Sequence, residues 1–193
     1  MTQTTNGRPT FFCSDFAALD NELLGGIRIT TVSDNDFVGF ALGYTPGDDM
    51  NEDADYVLID WKQGTQAFNF ECQSSTALEG LAVSRVSGMP TRDELWSHQD
   101  LQCDASEGGV TELARGISLG EDGWSSSVDY EFRFVYEQDR LQVFVDGVLQ
   151  ADLSGDFPEG RFCFYNFSQS SVQYSGFTRI STTEPPTRAP LCS

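Results

Sequence analysis

Residues 34–66 read DNDFVGFALGY (34–44), TPGDDMNEDA (45–54) and DYVLIDWKQGTQ (55–66). Two apolar-aromatic segments of strand length flank a loop, with Gly, Pro, Asn and Asp as punctuation, which is how paired strands read. Val57, Ile59 and Trp61 fall on one face of the second segment, although its alternation is less clean than that of a half-exposed strand. Gly39 and Gly43 inside the first suit a bulge or a close backbone approach. Five acidic side chains stand between residues 48 and 55: Asp48, Asp49, Glu52, Asp53 and Asp55. A turn this acidic is either solvated or the holder of a hard cation.

Similar segments recur on both sides. Ile27–Val32 and Leu78–Val86 read as strands, and Val110–Leu119 as one interrupted by Gly116. The cleanest alternation is in Tyr130, Phe132, Phe134 and Tyr136, set against Glu131, Arg133, Val135 and Glu137, giving one buried and one mostly wet face. Leu141–Val145 follows, then the tight-turn pair Asp146-Gly147, and residues 160–167 and 172–180 complete the set. One helix start stands out: Thr91-Arg92-Asp93-Glu94 has the form of a capping box and opens at most two turns near residues 91–97. About ten short strands with turns between them predict an all-β fold, an antiparallel β-sandwich of jelly-roll type. Residues 1–9 are polar and expected to be a disordered tail. Residues 10–181 are expected to form the sandwich, and the proline-bearing residues 182–193 a linker.

The 193 residues suit one domain, and fifteen Phe, six Tyr and three Trp supply enough apolar bulk for its core. Eleven basic residues against thirty acidic ones give a net charge of −19. Such a surface repels phosphate backbones and anionic membrane surfaces, which argues against nucleic-acid binding. Compatible partners are divalent cations, basic proteins and neutral glycans; the same charge also keeps a secreted domain soluble. No apolar run approaches the ~20 residues of a membrane span. The first ten residues lack the apolar core of a signal peptide, so a secreted chain of this kind is expected to have lost its signal already.

Five cysteines at scattered spacings, no CxxC pair and a single histidine disfavour zinc and fit an oxidising, extracellular setting. Cys72 and Cys103 lie in polar connecting segments and are expected to pair; closing that loop would contribute about 3–4 kcal/mol. Cys192 could then pair with Cys13, leaving Cys163 as a small buried hydrophobe.

For calcium, which takes six to eight oxygens, the loop offers Asp49, Asn51, Asp53 and Asp55 at alternate positions, with Asp60 twelfth counting from Asp49. That spacing echoes an EF-hand. However, Ala54 stands where that loop needs glycine, Asp60 replaces the bidentate glutamate, and strands replace the helices. Asp34-Asn35-Asp36 forms a second candidate, a tight turn able to present two side chains and a carbonyl to one ion; the alternative is an ordinary Asx turn.

In order along the chain, residues 34–44, DWKQGTQ (60–66), Gly80-Leu81-Ala82-Val83, Glu94-Leu95-Trp96, Gly123-Trp124, Gly160-Arg161-Phe162 and Tyr165-Asn166-Phe167-Ser168-Gln169 resemble the C-terminal domain of thrombospondins and related modules of secreted bacterial proteins. The resemblance covers roughly residues 27–180. It implies a concanavalin-like, L-type-lectin-like sandwich used in adhesion or matrix recognition, with bound calcium and no catalysis. It also implies that Asp34-Asn35-Asp36 matches the acidic turn before the first motif strand. Two departures are the missing calcium-repeat segment and the inserted acidic loop, which could form an extra calcium site. Trp61, Trp96 and Trp124 could form a sugar-stacking platform, but their places inside the shared motifs make them core residues.

Enzyme signatures are absent from the sequence. There is no G-x-S-x-G elbow and no run of strand carboxylates of the glucanase kind, and His98 reads as an exposed bystander. Asn166-Phe167-Ser168 is a formal glycosylation sequon, but it lies in a strand, where a structural role for Asn166 is expected. The sequence therefore predicts a secreted, calcium-binding, non-catalytic adhesion module with an extracellular protein or glycan ligand. A lectin-like carbohydrate-binding module is the alternative, and a polysaccharide-active enzyme stands third.

Overall fold

Residues 129–136 alternate between buried and wetter positions, and they form the central β10 (Asp129–Tyr136) of one six-stranded sheet. The computed structural model describes residues 1–103 and 106–181. Strands are numbered along the chain. The first sheet runs β1 (Thr2–Gln3), β14 (Val172–Ser181), β3 (Asn21–Ile29), β10, β11 (Arg140–Val145) and β12 (Val148–Ser154). The second runs β2 (Thr10–Ala17), β13 (Arg161–Phe167), β4 (Phe37–Tyr44), β5 (Asp55–Lys62), β8 (Gly80–Met89) and β9 (Glu107–Arg115). Every pairing is antiparallel, as expected of a lectin-like jelly roll.

The inner faces meet in a core that includes Phe40, Ile59, Trp61, Phe132, Phe134 and Phe162. Asp146 and Gly147, both at positive φ, turn β11 into β12, because that conformation matches the twist of the strands it joins. Gly39 allows close packing: a Cβ there would lie 2.1 Å from the Ile59 carbonyl oxygen.

A second core lies on the outer face of the second sheet, and it explains why residues 55–62 alternate poorly. A cap formed by segments within residues 63–79 and 90–103, on either side of β8, crosses that face. It carries the hairpin β6 (Gln66–Phe68) and β7 (Ser75–Ala77) and the helix α1 (Arg92–Ser97). Phe37, Ala41, Tyr56, Leu58 and Tyr165 form one core cluster with Trp96 of the cap, so β4 and β5 are buried on both faces. The predicted capping box is present: Thr91 accepts from the Glu94 amide, and the Glu94 carboxylate accepts from the Thr91 amide at 2.7 Å.

Several expectations need correction. Residues 1–9 are not a free tail. Strand β1 pairs with β14, the Met1 amine donates to the Tyr174 carbonyl at 2.7 Å, and Asn6 donates to Asp34 at 2.9 Å. A polar segment that buries little apolar surface is ordered here by main-chain bonds to an open sheet edge. Cys72 joins Cys103 as expected. Cys13, however, joins Cys163, its direct neighbour across β2 and β13, and not Cys192. Cys163 is therefore not a lone buried thiol; only the strand register places the two together. Cys192 and the expected linker 182–193 lie outside the described residues. Among the described residues no helix is long and apolar enough to cross a membrane.

Candidate functional site

Several motif pieces that are scattered along the sequence meet around Lys62 and its partner Asp36. Strand β5 ends at Lys62, whose side chain points to the outer face and is fully buried. Its Nζ donates to Asp36 Oδ1 at 2.9 Å, to the Asn35 carbonyl at 2.7 Å, to Asn35 Oδ1 at 3.3 Å and to Gln66 Oε1 at 3.1 Å. The Trp96 and Phe37 rings lie 4.9 and 5.7 Å from it. Trp124 Nε1 donates to the Asp36 carbonyl, and the Asp36 amide donates to Gln169 Oε1 at 2.7 Å. Burial pushes the Lys62 ammonium below its ordinary value and the Asp36 carboxyl above its own, while each partner partly offsets the other's shift. The arrangement is a structural keystone with no room for a sugar. Trp61, Trp96 and Trp124 are all buried, and each indole donates to a main-chain carbonyl.

The eight residues considered for calcium do not form one donor set. Asn35 and Asp36 hold Lys62, whose ammonium occupies the place of a cation in that turn. Asp34 accepts from Asn6 and from the Ser170 amide. In the acidic loop, Asp49 accepts from Tyr44, Asn51 accepts from the Asp53 amide, and Asp48 takes the Thr45 amide at 2.7 Å. Asp55 pairs with Arg85 through two bonds, at 2.7 and 2.5 Å. Asp60 lies on β5 and faces His98 at 3.1 Å. Among the described residues no group of three or more His, Cys, Asp or Glu side chains could hold a metal ion. As placed, these residues do not fit calcium.

His98 is the residue whose role the sequence reading missed. It ends α1 in a left-handed conformation and is buried between Asp60 and Glu112, with Nδ1 3.5 Å from Glu112 Oε2. Burial alone would lower its pKa, but the two carboxylates outweigh burial and push it up to about 9. An ion pair formed across the top of a sheet by residues distant in sequence leaves no local signature. Asp60 Oδ1 and the Tyr165 hydroxyl are buried nearby with no hydrogen-bond partner. Asp93, also buried, accepts the amides of Phe70, Glu71 and Cys72, each at 2.9 Å. Burial would raise its pKa, but these donors and Ser75 hold it below the usual carboxylate value.

Glu112 leads from this buried pair to the surface, where it lines an open groove of about 660 Å³. Leu78 and Ile117 give the groove apolar surface, Thr65 and Ser118 give it hydroxyls, and Glu79 and Glu121 add carboxylates. The Arg115 guanidinium in its wall is engaged by Glu112 and by the Gly120 and Glu79 carbonyls. The groove therefore presents mainly hydrogen-bond acceptors and hydroxyls. Asn166, in the formal sequon, is buried and donates to Tyr174.

These features define the class: a lectin-like antiparallel β-sandwich with an open polar groove beside a disulfide-tied cap. No family model matches the chain, and no curated protein does. Among solved structures it is similar to the carbohydrate binding module CBM66 from Bacillus subtilis, with a TM-score of 0.56, 12% identity, and coverage of 91% of this chain and 83% of that one. It also aligns with the galectin LEC-6 of Caenorhabditis elegans, with a TM-score of 0.46, 12% identity and coverage of 91% and 94%. The alginate lyase Aly36B aligns with a TM-score of 0.46, 14% identity and coverage of 91% and 77%. At these identities the likeness is one of fold.

Proposed function

We propose that this chain is an extracellular, non-catalytic, carbohydrate-binding module of lectin type. The observation that carries the reading is the open groove. Its volume lies in the range of small-ligand sites, and its carboxylates, hydroxyls and two aliphatic side chains are the groups that pair with sugar hydroxyls and C–H faces. The carboxylate lining and the charge of −19 favour neutral glycans over uronates or sulfated sugars. A non-catalytic role agrees with the state of the one histidine, which is buried and held between two carboxylates, Asp60 and Glu112. Two disulfides support an oxidising compartment.

The test is a glycan array that includes neutral and anionic oligosaccharides, read with the intact chain and with Ile117→Asp and Glu121→Gln. Both positions line the groove, and Ile117 is 70% exposed, so neither change disturbs the core. Neutral hits that weaken in both variants support the reading. Binding only to uronates, or to no glycan, refutes it.

A second reading, a thrombospondin-like adhesion module, is favoured by a different observation: the motif residues behind that resemblance meet around Lys62 in one buried cluster. That convergence supports relationship of architecture. It supplies no ligand, because the cluster is closed to solvent.

A further inference from the structure

The cap carries an exposed aromatic surface that the groove does not explain. Phe68, at the end of β6, is 48% exposed. Its centroid lies 4.5 Å from that of Phe70, which in turn packs 5.4 Å from Trp96. Arg92 lies over Phe70 and pairs with Glu71. Glu71 lines a separate hollow of about 360 Å³, together with Gln73, Thr91 and Gln102, beside the Cys72–Cys103 disulfide. Phe70 and Glu71 are chain neighbours, and Phe68 pairs across the hairpin with Ser75, two residues from Gln73, so the rings and the hollow share the loop of residues 69–74. Gln73 Nε2 donates to the Leu101 carbonyl, Gln102 Nε2 to Asp100, and Arg92 to Glu71 Oε1, which leaves the two amide oxygens and Glu71 Oε2 to accept from a ligand.

We propose that Phe68, Phe70 and this hollow form a stacking subsite for one neutral pyranose unit. The C–H face of the sugar lies on the Phe68 ring, and its hydroxyls reach Glu71, Gln73 and Gln102. Aromatic side chains that are apolar on the face and bordered by hydrogen-bonding groups suit such amphipathic ligands. The site is also held in place before any ligand arrives. The disulfide ties residue 72 to residue 103, Asp93 fixes the amides of residues 70–72, and Trp96 backs the Phe68–Phe70 pair. Preorganisation of this kind lowers the ordering cost of binding.

The subsite and the groove share the β6–β7 hairpin. Thr65 and Leu78 line the groove at its base, and Phe68 is three residues from Thr65, at most about 10 Å of extended chain. A single oligosaccharide can therefore run from one to the other. This inference rests on the carbohydrate-binding reading, which it extends from one contact to two.

The experiment is a calorimetric titration of neutral hexose oligosaccharides of increasing length into the intact chain and into Phe68→Ala, Phe68→Trp and Phe12→Ala. Phe12, 53% exposed on β2, controls for loss of an exposed phenyl ring elsewhere. The expected result is that Phe68→Ala binds the longer oligosaccharides about tenfold more weakly, the loss of one stacked ring. Phe68→Trp retains binding, and Phe12→Ala matches the parent. A parent that binds these oligosaccharides and a Phe68→Ala variant that binds them equally well overturn the subsite and leave the groove reading standing. A parent that binds none overturns the carbohydrate-binding reading, and the subsite with it.

Discussion

Replacing Lys62 by Met would show what the buried ammonium contributes. The variant keeps the aliphatic stem but removes four hydrogen bonds and the charge facing Asp36. Asp36 is nearly as buried as Lys62, with side-chain exposures of 8% and 0%. Removing one member of such a pair leaves the other uncompensated, at a typical cost of about 3–5 kcal/mol. That is a large share of the roughly 5–15 kcal/mol that holds a domain together. For a chain of this size it lowers the melting temperature on the order of 10 °C. Urea denaturation with a constant m-value measures it directly. The double variant Lys62→Met/Asp36→Asn removes both charges, so it is expected to cost less than the sum of the two single changes. A loss below about 1 kcal/mol for Lys62→Met, in the range of a surface ion pair, would refute the keystone.

Three further outcomes are expected. The raised pKa of His98 makes its ion pairs fully stabilising below about pH 6.5 and progressively lost as pH rises through about 9, a change of about 3 kcal/mol. Stability measured from pH 6 to 10 should show that alkaline limb, and His98→Gln should flatten it; a limb that persists in the variant would assign it elsewhere. Because Asp36, Asp55 and Asp60 are engaged with Lys62, Arg85 and His98, and no three of the described candidate carboxylates gather at one point, melts in EDTA, millimolar calcium and millimolar magnesium should coincide. A micromolar calcium site would instead add roughly 4 kcal/mol at millimolar calcium, and a calcium-only shift of that size would return the acidic turns to the list of cation sites. Finally, Cys72→Ser/Cys103→Ser opens a link across 31 residues and should lower stability by about 3–4 kcal/mol in the chain-entropy model. Unchanged denaturation midpoints for the variant would contradict that.

Much of the fold was legible in local pattern. The alternation over residues 130–136, the Asp146-Gly147 turn and the Thr91–Glu94 capping box each appear as read, because each depends on contacts within a strand, a turn or one helical turn. The imperfect alternation of residues 55–62 also carried information: it reports a strand covered on both faces, although sequence alone does not say by what.

Sequence by itself determined the all-β class, the strand-length segments and the short helix opened by the Thr91 capping box, since periodicity and punctuation are local physical properties; the Cys72–Cys103 pairing was an expectation that the structure bears out. Only the tertiary structure decided where the charged residues went. Carboxylates spaced like calcium ligands between residues 49 and 60 are drawn to different partners by the sheet register, and Lys62 fills the turn at residues 34–36. His98 looked exposed because neither Asp60 nor Glu112 is near it in the chain, and their strands bring both to its ring. Burial, ion pairing and the exposure of Phe68 all depend on which segments cover one another, and that is set by packing across the whole chain.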